Sequence, residues 1–182
     1  MRGNTDQMPA VAEPRCIEGQ RGCIVMGVAA SDAHVVANHL IAMYLRRQGF
    51  RVVNLGACTP TVEFMQAAAS CGDDLVAVVI GSLNGHALED LADLPQARAR
   101  YGIRAPVAVG GNLSVGAVKD ARIEDRLQAL GVDCVLRHPS QLVQALRALG
   151  WQDPLLMQHE PTAAGLIPIP VSNPALKEDF HA

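Results

Sequence analysis

Aromatic residues make up only 3% of this 182-residue chain, and Trp151 is its one tryptophan. A core almost without rings must be built from Val, Leu, Ile and Ala, and apolar residues supply 49% of the sequence. That palette suits a parallel sheet buried under helices. Positive charge is also scarce: 15 Lys and Arg stand against 18 Asp and Glu, for a net charge of −3 and no basic block. Nucleic-acid binding by phosphate neutralisation is thereby excluded as a working reading. The cysteines, Cys16, Cys23, Cys58, Cys71 and Cys134, are odd in number and form no CxxC pair, so neither a disulfide framework nor a thiolate zinc site is supported. No apolar run approaches the ~18 residues that span a bilayer. The polar stretch from Met1 to Gln20 does not resemble a signal peptide. A cytoplasmic protein with no membrane partner is the expectation.

What is present is regular alternation. Residues 1–21 have no period and read as a flexible arm, residues 22–150 as one domain, and residues 151–182 as a proline-rich tail. Within the domain, Cys23 to Val28 is a short apolar run, hence a buried strand. Val36, Leu40, Met43 and Leu45 then recur at helical spacing, and Gly49 ends that helix. Arg51 to Leu55 reads as a second strand, followed by a helix opened by Thr59 as cap and Pro60 in its first turn. Leu75 to Ile80 is a third strand, His86 to Ala99 a helix, Pro106 to Val109 a fourth strand, and Ala117 to Leu130 a helix. Asp133 to Leu136 is a fifth strand and Pro139 to Leu149 a last helix. Such alternation predicts an α/β fold, a flavodoxin-like (Rossmann-like) doubly wound five-stranded parallel sheet of order 2-1-3-4-5.

Ligands of open α/β sheets bind outside the carboxyl ends of the strands, where the strand order reverses. Here that point lies between the first and third strands. Three segments of small and polar residues converge there: Ala29 to His34, Gly81 to Gly85, and Gly110 to Ser114. Gly110 and Gly111 leave room for close approach to the backbone. Asp32-Ala33-His34 is the sharpest feature. A neutral imidazole ligates metals well when its second nitrogen donates to a carboxylate, and Asp32 stands two residues away. A plainer reading serves the same residues: Asp32 caps the next helix and His34 occupies its first turn. An FMN phosphate loop is poorly served by Ser31 and Asn38 alone. A phosphoacceptor site lacks its aspartate, since Ser82 stands at the end of the third strand.

At these residues the chain resembles the small, cobalamin-binding subunit of glutamate mutase (methylaspartate mutase), one of the B12-binding domains with a D-x-H-x-x-G signature and later S-x-L and GG motifs. The matches are Asp32-Ala33-His34, Ser82-Leu83 with Gly85, and Gly110-Gly111. Gly27 to Asp32, Gly49 to Gly56 and Val109 to Gly116 resemble the glutamate mutase branch more specifically. The resemblance spans about Ile24 to Leu149. It implies adenosylcobalamin bound base-off, its dimethylbenzimidazole tail buried and His34 replacing that tail as cobalt ligand, held by Asp32. It also implies that Ser82 contacts the tail and that Gly110, Gly111 and Asn112 line its channel. Ser31, Ala33, Val35, Gly81, Leu83, Leu113, Ser114, Val115 and Gly116 would complete the cofactor site. In that family the adenosyl–cobalt bond breaks homolytically and L-glutamate rearranges to threo-3-methylaspartate. Substrate chemistry belongs to a large barrel subunit, in a heterotetramer, so no catalytic residue is assigned to this chain.

Three positions depart from the family pattern. Ala37 stands at the signature glycine, Gly81 where close relatives carry serine, and Asn84 in place of an aromatic residue. His39, His86, His138, His159 and His181 read as surface or packing histidines, with His86 the one placed to face a cofactor or partner. Glu89, Asp90 and Asp93 read as a solvated face, and Cys58 as a small buried residue. Two other functions stay open at this point: a corrinoid carrier or cobalamin-dependent sensor without isomerase activity, and a cofactor-free interaction module.

Overall fold

A computed structural model describes residues 21–114 and 122–154 of the chain. Its order is β1 (Cys23–Val28), α1 (Val35–Arg47), β2 (Arg51–Asn54), α2 (Thr61–Cys71), β3 (Leu75–Ser82), α3 (Ala87–Asp90), α4 (Leu94–Tyr101), β4 (Val107–Gly111), α5 (Ile123–Ala129), β5 (Cys134–Leu136) and α6 (Leu142–Ala148). The strands form one parallel sheet in the order β2-β1-β3-β4-β5, as the alternation predicts. Among the described residues no helix is long and apolar enough to cross a membrane.

Side chains alternate between the two sheet faces, and each face has its own core. Val25, Val78, Ile80, Val107 and Val109 pack with Phe64, Met65, Leu91, Leu94 and Leu127 on the side of α2 to α5. Ile24, Met26, Val79 and Ala108 pack with Ala42, Leu45, Leu142 and Leu146 on the side of α1 and α6. Cys23 and Cys71 are buried in the first core, their thiols 2.9 Å apart. The hydrogen bond to Cys71 and burial both push the Cys23 thiol pKa up.

Several expected elements differ in detail. The apolar positions expected to bury α1 mostly face outward: Val36 is 71% exposed, Leu40 62% and Met43 49%, whereas Asn38, Ala42 and Leu45 are buried. The stripe that carries Asn38, Ala42 and Leu45 takes the sheet-facing side. Thr59 is not the cap of α2. Pro60 holds that place in extended conformation, and the Thr59 hydroxyl reaches back to the Leu55 carbonyl at 3.5 Å. The helix expected over His86 to Ala99 is two, α3 and α4, divided at Leu91 to Asp93 with Pro95 in the first turn of the second. Proline lacks the N–H that a continuous helix would use there. Strands β3 and β4 run on into Ser82 and Gly111, carrying sheet geometry into the site. The start expected for α5, at residues 117–121, lies outside the described residues. So do Cys16, His159, His181 and most of the arm and tail.

Packing continues past Gly150. Trp151 rests on Phe50, ring centroids 5.5 Å apart. Asp153, 4% exposed, pairs with Arg21 at 3.0 Å and Arg147 at 2.9 Å.

Candidate functional site

The loop from β1 to α1 turns sharply at its start: the Asp32 N–H donates to the Ala29 carbonyl at 3.0 Å. That turn sends the Asp32 side chain inward, to 1% exposure for the residue. Its Oδ1 lies 2.5 Å from His34 Nδ1 and accepts the His34 backbone N–H at 3.0 Å. Its Oδ2 accepts the Leu83 and Asn84 backbone N–H groups, the latter at 3.2 Å. Burial alone would raise the carboxyl pKa. The N–H groups of Leu83, His34 and Asn84 and the His34 ring outweigh it, and the net direction is downward. Asp32 is therefore a carboxylate at neutral pH and can only accept. The proton between the two side chains sits on Nδ1, and a neutral His34 directs the lone pair of Nε2 away from the carboxylate. The His34 side chain is 61% exposed. The capping alternative does not hold. His34 occupies the N-cap of α1 without a side-chain cap bond, and Asp32 binds its N–H from two residues upstream.

The loop is held from outside as well. Ser31 donates its backbone N–H and its hydroxyl to the two oxygens of Asp90, at 3.1 and 2.8 Å. Asn84 donates to the Ser31 carbonyl and hydroxyl at 2.9 and 2.7 Å. Asp90 is thus a loop clamp, a correction to its reading as solvated face. Asn84 ties the β3–α3 loop to the β1–α1 loop through Asp32 and Ser31. Cys58 is exposed rather than buried, with φ of 55°. Its backbone N–H donates to the Asp32 carbonyl at 3.0 Å, so that this turn supports the β1–α1 loop.

Beside His34 a cavity of about 250 Å³ opens between the sheet and the pair α1 and α6. Its floor is Met26, Val28, Val79, Gly81, Gly110 and Gly111. Ala37, Asn38 and Ile41 form one wall, and Leu136, Arg137, His138, Pro139 and Leu142 the other. Strand alternation decides which expected residues take part. Gly81 lines the cavity, with space above it: an added Cβ would meet nothing closer than the Gly27 carbonyl at 3.6 Å. Ser82 points to the opposite face, fully buried, its hydroxyl 3.4 Å from Asn84 Oδ1. The register thus puts Gly81 rather than Ser82 at the cavity. Leu83 also lines the cavity, whereas Ser31, Ala33, Val35, Asn112, Leu113 and Ser114 do not. Asn112 donates to the Leu83 carbonyl at 3.2 Å and Ser114 bridges His86, so this segment braces the β3–α3 loop. Val115 and Gly116 lie outside the described residues.

Two cavity residues lack an obvious signal in the sequence. His138 reads there as a surface histidine. It lines the cavity, and its Nδ1 accepts from the Ser140 N–H at 3.2 Å. Asn38 is buried on the cavity wall, and its Oδ1 has no hydrogen-bond partner.

These features define a Rossmann-like ligand-binding domain that offers one oriented imidazole beside an apolar slot. The B12 binding domain family model matches residues 22–147. The chain belongs to that family and, within it, to the glutamate mutase sigma subunits. It is 43% identical over 112 residues to the glutamate mutase sigma subunit of Halobacterium salinarum, covering 62% of this chain and 74% of the relative. To sigma subunit 2 of Haloarcula marismortui it is 34% identical over 128 residues, covering 69% and 85%. Among solved structures, a cobalamin-binding protein from Desulfitobacterium hafniense shares the fold at a TM-score of 0.55 and 21% identity, over 71% of this chain and 59% of that one. The methanol:cobalamin methyltransferase complex MtaBC from Methanosarcina barkeri does so at 0.56 and 22%, over 82% and 54%.

Proposed function

We propose that this chain carries the cobalamin of a glutamate-mutase-like enzyme, binding it base-off with His34 as the lower cobalt ligand. The observation that carries the reading is the 2.5 Å contact between Asp32 and His34 Nδ1, which engages that nitrogen and makes Nε2 the one to offer a metal, on a residue that lines the cavity. The residues present fit the cofactor. Among the described residues no three His, Cys, Asp or Glu side chains converge to hold a metal alone. A single imidazole suits a metal that arrives chelated by a macrocycle and needs only an axial ligand. The cavity is too small for a whole corrinoid and suits an apolar, flat appendage such as the nucleotide base. Gly81 and Gly110 leave its floor without side chains, and Asn38 Oδ1 awaits a donor.

When bound as adenosylcobalamin, the cofactor supplies the organic radical that a carbon-skeleton rearrangement of L-glutamate to threo-3-methylaspartate requires. The chain's own part is to hold and orient. Asp32 fixes the His34 tautomer and favours its electron donation. Asp90 and Asn84 keep the loop that carries both in place. Leu136, Pro139 and Leu142 exclude water from the tail slot. Substrate binding is assigned to a large catalytic subunit, consistent with the sigma-subunit relatives.

The test is a titration of the purified chain with adenosylcobalamin, followed in the visible spectrum. Expected is retention of a base-off corrinoid with a nitrogen ligand that His34→Ala abolishes. A chain that retains no cobalamin, alone or with the catalytic subunit, sinks the reading. Activity is expected only after the catalytic subunit is added.

A further inference from the structure

Asn38 sits in the first turns of α1, 3% exposed, on the wall of the cavity beside His34. The orientation of its amide is fixed by its neighbours. Nδ2 donates to Asn54 Oδ1 at 2.7 Å and reaches the Gly56 carbonyl at 3.5 Å. Asn54 Oδ1 is identified as oxygen because it also accepts the Gly56 N–H at 3.0 Å. Turning the Asn38 amide over would set oxygen against two oxygens. Its Oδ1 is thereby held as a buried acceptor, and that oxygen has no partner. Most buried polar groups in folded proteins are paired, and an orphan costs stability.

We propose that Asn38 is a specificity residue for the nucleotide tail of the cofactor, its Oδ1 accepting a hydrogen bond from an N–H or O–H on that tail. The inference rests on the cobalamin reading above and adds to it a chemical demand. The cavity requires a donor as well as an apolar ring. The tail offers two sources of that donor. One is a ribose hydroxyl, present whatever the base. The other is an exocyclic amine, present on an adenine-type base and absent from dimethylbenzimidazole. Asn54 acts as a positioning residue, because its Oδ1 holds Nδ2 and so fixes which end of the Asn38 amide is left without a partner.

Asn38→Leu separates this role from a structural one. The substitution removes the orphan oxygen, and the groups it deserts keep partners: Asn54 Oδ1 retains the Gly56 N–H, and the Gly56 carbonyl retains the Val28 N–H at 2.8 Å. The full chain and the variant are titrated with cobalamin, with an adenine-tailed cobamide and with tail-less cobinamide, and both are melted without ligand. Expected is an unliganded melting temperature at or above that of the natural chain, unchanged cobinamide binding, and about tenfold weaker binding of tailed corrinoids, the loss of one hydrogen bond. Equal losses for both tailed forms identify the ribose hydroxyl. A loss confined to the adenine-tailed form identifies the amine. Unchanged affinity for both tailed forms overturns the proposal, as does an equal loss for all three corrinoids. Asn38→Ala, read in the same way, covers a leucine that does not fit. If the natural chain retains no cobalamin, the cofactor reading itself fails, a different result from retention that ignores Asn38.

Discussion

Asp32 and His34 meet at 2.5 Å with opposite exposure, the carboxylate sealed inside and the imidazole mostly open. The inner partner can therefore be altered without touching whatever the outer one binds. Asp32→Asn keeps size and removes charge. Its amide cannot accept from Leu83, Asn84 and His34 together, so at least one buried N–H loses its partner, at about 1–3 kcal/mol of stability. Corrinoid affinity should fall about 10–100-fold, as for other altered partners of a ligating histidine. Chemical denaturation and spectral titration measure the two effects. An unaltered affinity would show that Asp32 does not tune the ligand.

Acid should act on the unliganded chain through the same carboxyl. Its folded pKa lies below the ordinary 3.8, so its contribution to stability is present above that value. As pH falls through 3.8 the unfolded chain takes up the proton first, and stability drains until the folded carboxyl protonates too. The gap in denaturation midpoint between the natural chain and Asp32→Asn should be full at pH 6 and narrow below about pH 4. A gap constant with pH would contradict this.

Two glycines that look alike in sequence should behave differently. Gly81→Ala adds a methyl where the nearest atom is 3.6 Å away, and stability should hold. Gly81→Leu should also fold but fill the slot, abolishing the preference for cobalamin over cobinamide. Gly111→Ala drives a Cβ into the Ser82 carbonyl at φ of 128°, which should cost about 1–3 kcal/mol or prevent folding. Thermal melts and the paired titrations check all three.

Ala37 tests the slot from its other wall. Ala37→Gly enlarges it by one methyl and places glycine in a helix. The unliganded chain should lose about 1 kcal/mol, while affinity for cobalamin rises and that for cobinamide stays. A drop in both would mean that the methyl supports the helix only.

Asp153 tests how far the folded unit extends. Truncation after Gly150 removes Trp151 from Phe50 and leaves Arg21 and Arg147 without their buried partner, at about 1–3 kcal/mol because both arginines retain some solvent.

The sheet was legible because strands buried on both faces write themselves as apolar runs, as in Val76 to Ile80, and because glycines such as Gly49 punctuate the helix ends. The inner face of α1 was not, since Val36, Leu40 and Met43 keep helical spacing as well as Ile41, Ala42 and Leu45 do; only the sheet chooses between them. Asp32 and His34 stood out because their contact spans two residues. Asp90 and Asn84 reach Ser31 across 59 and 53 residues, and Asn38 acquires its meaning from Asn54. Such pairings leave no local pattern. The turn of Ser82 away from the slot follows from β3 running two residues beyond its apolar stretch, which sets its parity.

The carboxylate of Asp32 is shared between two loops. One oxygen serves the imidazole, and the other is gripped by N–H groups from Leu83 and Asn84, 51 and 52 residues away. Pressure on the β3–α3 loop that loosens this grip gives Asp32 more negative charge to offer the histidine; pressure that tightens it gives less. A protein docking on that loop would thus reach the histidine through the shared carboxylate, without touching the imidazole itself.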